Sequence, residues 1–175
     1  MKTIRFQILL AAIFLLSGCQ AHVFSYQGAK VTRQNDIIPL SGQEAQKGIW
    51  KTNELSVEYS YQVAGVSLQM SGIVKLVGGF AVGFKTIDQL SVQVLFLDDQ
   101  GTVLANDVLY SVQAKTPSDL TPLRFNRSFP VPAGTQGIAF TYDGSLSDGG
   151  GVRIVPFRGI DGGGRTQVRI SYFPS

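Results

Sequence analysis

Leu55-Ser56-Val57-Glu58-Tyr59-Ser60-Tyr61-Gln62-Val63 is the stretch that decides the fold class. Leu55, Val57, Tyr59, Tyr61 and Val63 alternate with Ser56, Glu58, Ser60 and Gln62. Successive side chains of an extended chain point to opposite faces, so this period of two predicts a strand with one apolar and one polar face. Val66, Leu68 and Met70 repeat the pattern, which continues to Leu76. Ala64-Gly65 lies between the two runs and suits a hairpin turn.

Working outward, the same reading holds for most of the chain. Leu90, Val92, Val94 and Phe96 form a further strand, and Leu95 and Leu97 make its end apolar on both faces, as a central strand requires. Asp98-Asp99-Gln100-Gly101 reads as a turn, and Thr102-Val103-Leu104 leads back. Leu123, Phe125, Arg127, Phe129 and Val131 alternate again, with Pro130 and Pro132 marking an edge or a strand end. Ile138, Phe140 and Tyr142 follow, and Val168, Ile170 and Tyr172 close the chain. No stretch beyond the first 18 residues has a helical period.

Many short strands punctuated by Gly and Pro predict an all-β domain over residues 37–175, a single antiparallel β-sandwich. Seven or eight strands in a chain of this size resemble the immunoglobulin or fibronectin type III class. Val94-Leu95-Phe96-Leu97-Asp98, followed by Gly101, is similar to a bacterial extracellular domain named for an F-x-L-Y-D pattern. Only the Asp fits that pattern, so no functional residue is carried over from it.

The N-terminus has a different character. Lys2 and Arg5 precede an unbroken apolar run from Ile8 to Leu16. Nine residues fall far short of the roughly 20 needed to span a bilayer, but they suit the apolar region of a signal peptide. The run ends in Leu16-Ser17-Gly18-Cys19, which resembles the lipobox of bacterial lipoprotein precursors. The resemblance implies cleavage between Gly18 and Cys19 and attachment of lipid to the Cys19 sulfur. An ordinary cleaved signal and an uncleaved apolar anchor are the alternatives. Cys19 is the one cysteine of the chain. An internal disulfide is therefore impossible, and lipidation would remove a thiol exposed to an oxidising compartment. Gln20 stands where the enterobacterial sorting pattern uses Asp for inner-membrane retention. The resemblance therefore implies the outer membrane, facing the periplasm, in a source with two membranes. Residues 19–36 are polar and read as a lipidated tether, with Val23-Phe24-Ser25-Tyr26 able to form a short strand.

Removing residues 1–18 from the 175-residue chain leaves 157, enough for one sizeable core. Lys2 and Arg5 leave with the signal, so the formal charge of +3 falls to +1. A near-neutral chain argues against nucleic acid as a partner. Arg124, Arg127, Arg153, Arg158, Arg165 and Arg169 are concentrated late in the chain. They read as solvated residues or, alternatively, as a patch for anionic lipid or an acidic partner.

Signals for catalysis are few. His22, the one histidine, lies in the expected tether, and Cys19 is committed to lipid. No nucleophile therefore has a base beside it in the sequence, and the phosphate-binding and metalloprotease motifs are missing. Asp98 and Asp99 suit a turn. Asp143 and Asp148 flank a flexible segment that could offer oxygen ligands to calcium, but without EF-hand spacing. The expectation is a protein with no catalytic residues, metal or cofactor. Two stretches are candidates for binding. In Val77-Gly78-Gly79-Phe80-Ala81-Val82-Gly83-Phe84, the residues Val77, Phe80, Val82 and Phe84 could present an apolar edge to a partner, or the stretch could be a bulged core strand. In Asp148 to Arg165, glycine-rich at both ends, Val152, Ile154 and Val155 read as a strand, and Arg158 and Asp161 could sit near an exposed tip, with a mobile loop the alternative. Trp50 beside Ile49 reads as a core plug rather than a sugar platform. The expected function is that of a membrane-anchored envelope lipoprotein. Its lipid on Cys19 contacts the membrane and its domain binds an envelope protein, with ligand binding the alternative and hydrolysis third.

Overall fold

The computed structural model describes residues 26–32, 36–40, 44–77, 84–115, 123–147 and 154–159. The signal peptide, Gly18, Cys19 and the expected strand around Ile170 lie outside the described residues. The strict alternation of Leu55–Val63 produces β3 (Leu55–Ala64), and its repeat produces β4 (Ser67–Leu76). Ala64 pairs with Ser67, so Gly65-Val66 is a two-residue turn. Gly65 has φ of 63°, in the left-handed region that favours glycine. β2 (Gln46–Lys51) pairs with the other edge of β3, and β7 (Leu123–Pro130) with the other edge of β4. This four-stranded sheet has the order β2-β3-β4-β7. β7 is an edge strand that ends at Pro130, where the loss of an amide donor is tolerated.

The second sheet is built on β5 (Thr86–Leu97), flanked by β6 (Val103–Lys115) and β8 (Gly137–Ser147). On its far side β8 pairs with β1 (Ile38–Pro39) at one end and with β9 (Ile154–Gly159) along the other. Every pairing in both sheets is antiparallel. The molecule is thus all-β over the described residues, with two antiparallel sheets of four and five strands and no α-helix.

The inner faces of the two sheets share one core. Trp50 lies 5.5 Å from Phe140 and 5.7 Å from Tyr142 between ring centroids. Tyr59 packs on Phe140 at 5.0 Å, and Phe96 meets Phe129 edge-on. Each pair joins one sheet to the other, and such pairs contribute about 0.5–1.5 kcal/mol beyond their area.

β5 is buried on both faces. Leu90, Val92, Val94 and Phe96 enter the shared core, while Leu95 and Leu97 face the other way. Those two form a second cluster with Val103, Ala139, Tyr26 and Val31. Tyr26 and Val31 are only 4% and 3% exposed. The segment that carries them runs against the start of β6. Gly28 N–H donates to Val103 O, Val103 N–H to Ala29 O, and Val31 N–H to Gly101 O. Tyr26 N–H donates to Asn106 Oδ1, and Asn106 Nδ2 donates to buried Gln93. Residues 26–31, assigned to the tether because they are polar, are therefore packed on the domain. Packed structure begins at least eleven residues before the expected boundary at Ile37.

The β5–β6 turn is held by Asp98. Its Oδ1 accepts from Gln100 N–H and Thr102 N–H, and Gly101 takes φ of 78°. The Thr102 amide is the main reason that the Asp98 carboxyl is held below its ordinary range. Asp98 and Asp99 thus serve a hairpin turn, as their spacing implied.

Candidate functional site

The expected binding residues fall on two sides of the boundary of description. Phe80 and Val82 lie outside the described residues, as do Asp148, Asp161 and Arg165. Val77 and Phe84 are half-buried. Val77 N–H donates to Glu54 O, and Phe84 packs against the shared core. Arg158 falls on β9, whose backbone pairs with Asp143 on β8, so this part of the second glycine-flanked stretch is strand. Lys85, just after the first stretch, and Ser147, just before the second, meet at one end of the molecule: Lys85 N–H donates to Ser147 O and Ser147 Oγ donates to Asp88 Oδ1.

That end also holds a buried polar group. Thr52 closes the turn between β2 and β3, accepting from Glu54 and Leu55 N–H and donating to Leu55 O. The turn inserts Glu54, only 1% exposed, where its Oε2 accepts from the Tyr142 hydroxyl. Burial first, and the Glu54 carboxyl second, push the Tyr142 hydroxyl far above its ordinary range. Trp50 plugs the core beside it, with its indole Nε1 buried and without a hydrogen-bond partner. This is a structural brace: the Glu54 and Tyr142 side chains meet in the core and tie the β2–β3 turn to β8. Among the described residues no three of His, Cys, Asp and Glu converge to hold a metal ion.

The outer face of the four-stranded sheet differs. Register sets three rows across its strands. The middle row, Gly48-Tyr59-Gly72-Phe125, points inward. The Tyr59 ring covers Gly48, and the Phe125 ring covers Gly72; a Cβ on either glycine would collide with its ring. The flanking rows point outward: Ile49-Glu58-Ile73-Arg124 on one side, Lys47-Ser60-Ser71-Asn126 on the other. Between them lies a shallow, open trough of about 690 Å³ whose floor is the backbone of the middle row. Rows two residues apart along a strand stand about 7 Å apart, and four strands span about 14 Å from first to last. Lys47 stands at the β2 end and Arg124 at the β7 end, and both are exposed. Ile49 is 59% exposed and offers apolar surface at the trough. Glu58, the one acid of the trough, is paired with Lys75.

Charge is divided between the sheets. The four-stranded sheet carries Lys47, Lys51, Lys75, Arg124 and Arg127 against Glu58 alone. The five-stranded sheet carries Asp88, Asp107 and Asp143 against Lys115 and Arg158. A nearly neutral total hides this polarity. Strand alternation could have placed each lysine on an outer face, but not on one sheet. Comparison with protein-family models, with curated proteins and with solved structures finds no match to this chain.

Proposed function

We propose that the protein is an exported, lipid-anchored envelope lipoprotein whose domain binds a partner without catalysis. Residues 1–18 are its signal and Cys19 its lipid attachment point. Gln20 directs it to the outer membrane, facing the periplasm, in a cell with two membranes. The domain is a β-sandwich of the immunoglobulin or fibronectin type III kind, and its partner is another envelope protein.

The observation that carries this reading is Leu16-Ser17-Gly18-Cys19 after a nine-residue apolar run in a chain with a single cysteine. Tyr26, buried seven residues after Cys19, supports it. Seven residues extend at most about 25 Å, so the domain would be held beside the bilayer. Confinement raises its effective concentration for anything at that surface. Lipid chains add about 0.8 kcal/mol per buried CH₂, enough for a durable anchor with two or more chains.

The test is metabolic labelling with a fatty-acid analogue, followed by fractionation. The wild type incorporates label and sediments with membranes; Cys19→Ser does neither. Equal labelling of Cys19→Ser would overturn the anchor. A second reading, a ligand-binding lipoprotein, is favoured by the cationic trough.

A further inference from the structure

We propose that the trough on the outer face of the four-stranded sheet binds a linear glycan bearing carboxylates. The inference rests on the second reading, a ligand-binding envelope lipoprotein, and it names the class of ligand.

Shape is the first argument. The trough crosses all four strands and is open along its length. It runs about 14 Å across the strands, and the short Ser60 and Ser71 side chains on one side leave room for an extended polymer to rest along it. Two glycines without side chains, Gly48 and Gly72, lie in its floor row.

The walls argue for sugar. One wall presents Ile49 and Ile73, apolar surface for the C–H face of a ring. The other presents Ser60, Ser71 and Asn126, short groups that both donate and accept hydrogen bonds. A peptide is a poorer fit. Backbone groups of the floor are engaged in the strand ladders, so a peptide crossing them would find no β-pairing partner for its own amides. Sugar hydroxyls beyond the reach of the wall can turn to water.

Charge selects the acid. Lys47 and Arg124 stand at opposite ends, and Lys75 neutralises Glu58. Carboxylates spaced along a polymer meet a cation at each end, and Arg124 offers a planar, two-pronged donor.

Anionic lipid would satisfy the same cations, but the anchor argues against it. Tyr26 and Val31 lie on the outer face of the five-stranded sheet, opposite the trough. Two sheets about 10 Å apart, with a layer of side chains outside each, are roughly 20–25 Å thick. The residues from Cys19 to Tyr26 would be nearly fully extended if the trough were to face the membrane that holds Cys19. An anchor attached behind the trough therefore favours orientations in which the trough faces the aqueous side.

The experiment uses full-length protein in detergent and isothermal titration with four probes: a galacturonic acid hexamer, an uncharged glucose hexamer, a hexaglutamate peptide, and a soluble short-chain phosphatidylglycerol. Binding to the galacturonate hexamer should exceed binding to the glucose hexamer and hexaglutamate at least tenfold, and weaken with salt. Lys47→Gln with Arg124→Gln should reduce it at least tenfold. Lys30→Gln with Lys85→Gln removes the same charge elsewhere and should change it less than twofold. Ser71→Trp, which fills the trough without changing charge, should abolish it, with a thermal melt to verify folding. Equal affinity for hexaglutamate, binding to the short-chain phosphatidylglycerol alone, no binding to the galacturonate hexamer, or unchanged binding by folded Ser71→Trp would each overturn the proposal. Because the assay needs no membrane, loss of the lipid-anchor reading in the labelling experiment leaves this result separately readable.

Discussion

The two sheets have similar inner faces and opposite outer ones. On the five-stranded sheet, Leu95 and Leu97 are covered by Tyr26 and Val31, and the outer face becomes a second small core. On the four-stranded sheet, the outer face holds Lys47, Ile49, Ser71 and Arg124 in solvent. The cause is in the strands. β5 is apolar at four consecutive positions, Val94 to Leu97, and must be covered on both sides; β3 and β4 alternate and need one cover. The covered face contributes to stability, and the uncovered one is available to a ligand.

The comparison can be broken most severely at the second core. Leu97→Ala should destabilise the protein by about 2–5 kcal/mol, the usual cost of removing a buried Leu, measured by urea denaturation. A change under about 0.5 kcal/mol would mean that the 26–31 segment does not seal that face. Next comes the brace between the inner faces. Tyr142→Phe removes the hydroxyl that Glu54 accepts from and should cost about 1–3 kcal/mol. It has a pH signature. The Tyr142 pKa is raised on folding, so its stabilisation is complete below the unfolded tyrosine value of about 10 and is lost as pH rises beyond it. Tyr59, Tyr61 and Tyr110 are raised as well, mainly by burial. The wild-type melting temperature should therefore fall between pH 9 and 11 (values on the order of the tyrosine pKa), and fall less steeply in Tyr142→Phe. Parallel pH profiles would remove Tyr142 from this role.

Smaller effects sharpen the contrast within the trough. Gly72→Ala would press a methyl against both the Glu58 carbonyl and the Phe125 ring, and should cost about 1–3 kcal/mol. Gly48→Ala meets only the far end of the Tyr59 side chain, which can move, and should cost less. The reverse order in a melt would mean that the rings, not the backbone, set the fit. Smallest of all, Lys47→Gln with Arg124→Gln should change stability by less than about 0.5 kcal/mol, because both side chains are exposed. A larger loss would make those cations structural.

Much of the fold was legible because a strand announces itself locally. Leu55–Val63 alternates without a break, Gly65 supplies the turn, and the run ending Leu95-Phe96-Leu97 declares a strand with two covered faces. The tether was misjudged for an equally local reason. Residues 26–31 contain only Tyr26 and Val31 as large apolar anchors, too few for a period, and what they cover lies 64 to 113 residues away on β5, β6 and β8. The trough left even less trace, since its walls come from four strands that are separate in sequence.

The sequence by itself determined which residues share a face within β3, β4, β5, β7 and β8, where the hairpins at Gly65 and Gly101 turn, and that the end of β5 is interior. These follow from the period of two and from backbone freedom at Gly65 and Gly101, which are properties of neighbouring residues. Tertiary structure alone decided which faces meet. Ser67 and Ser128 share a hydrogen bond across 61 residues because β4 and β7 pair in one register out of several possible. That register brings Gly72 to Phe125 and Ile73 to Arg124. A slip of one residue would turn every side chain of β7 over, and only the fit of Leu123, Phe125 and Phe129 into the shared core forbids it.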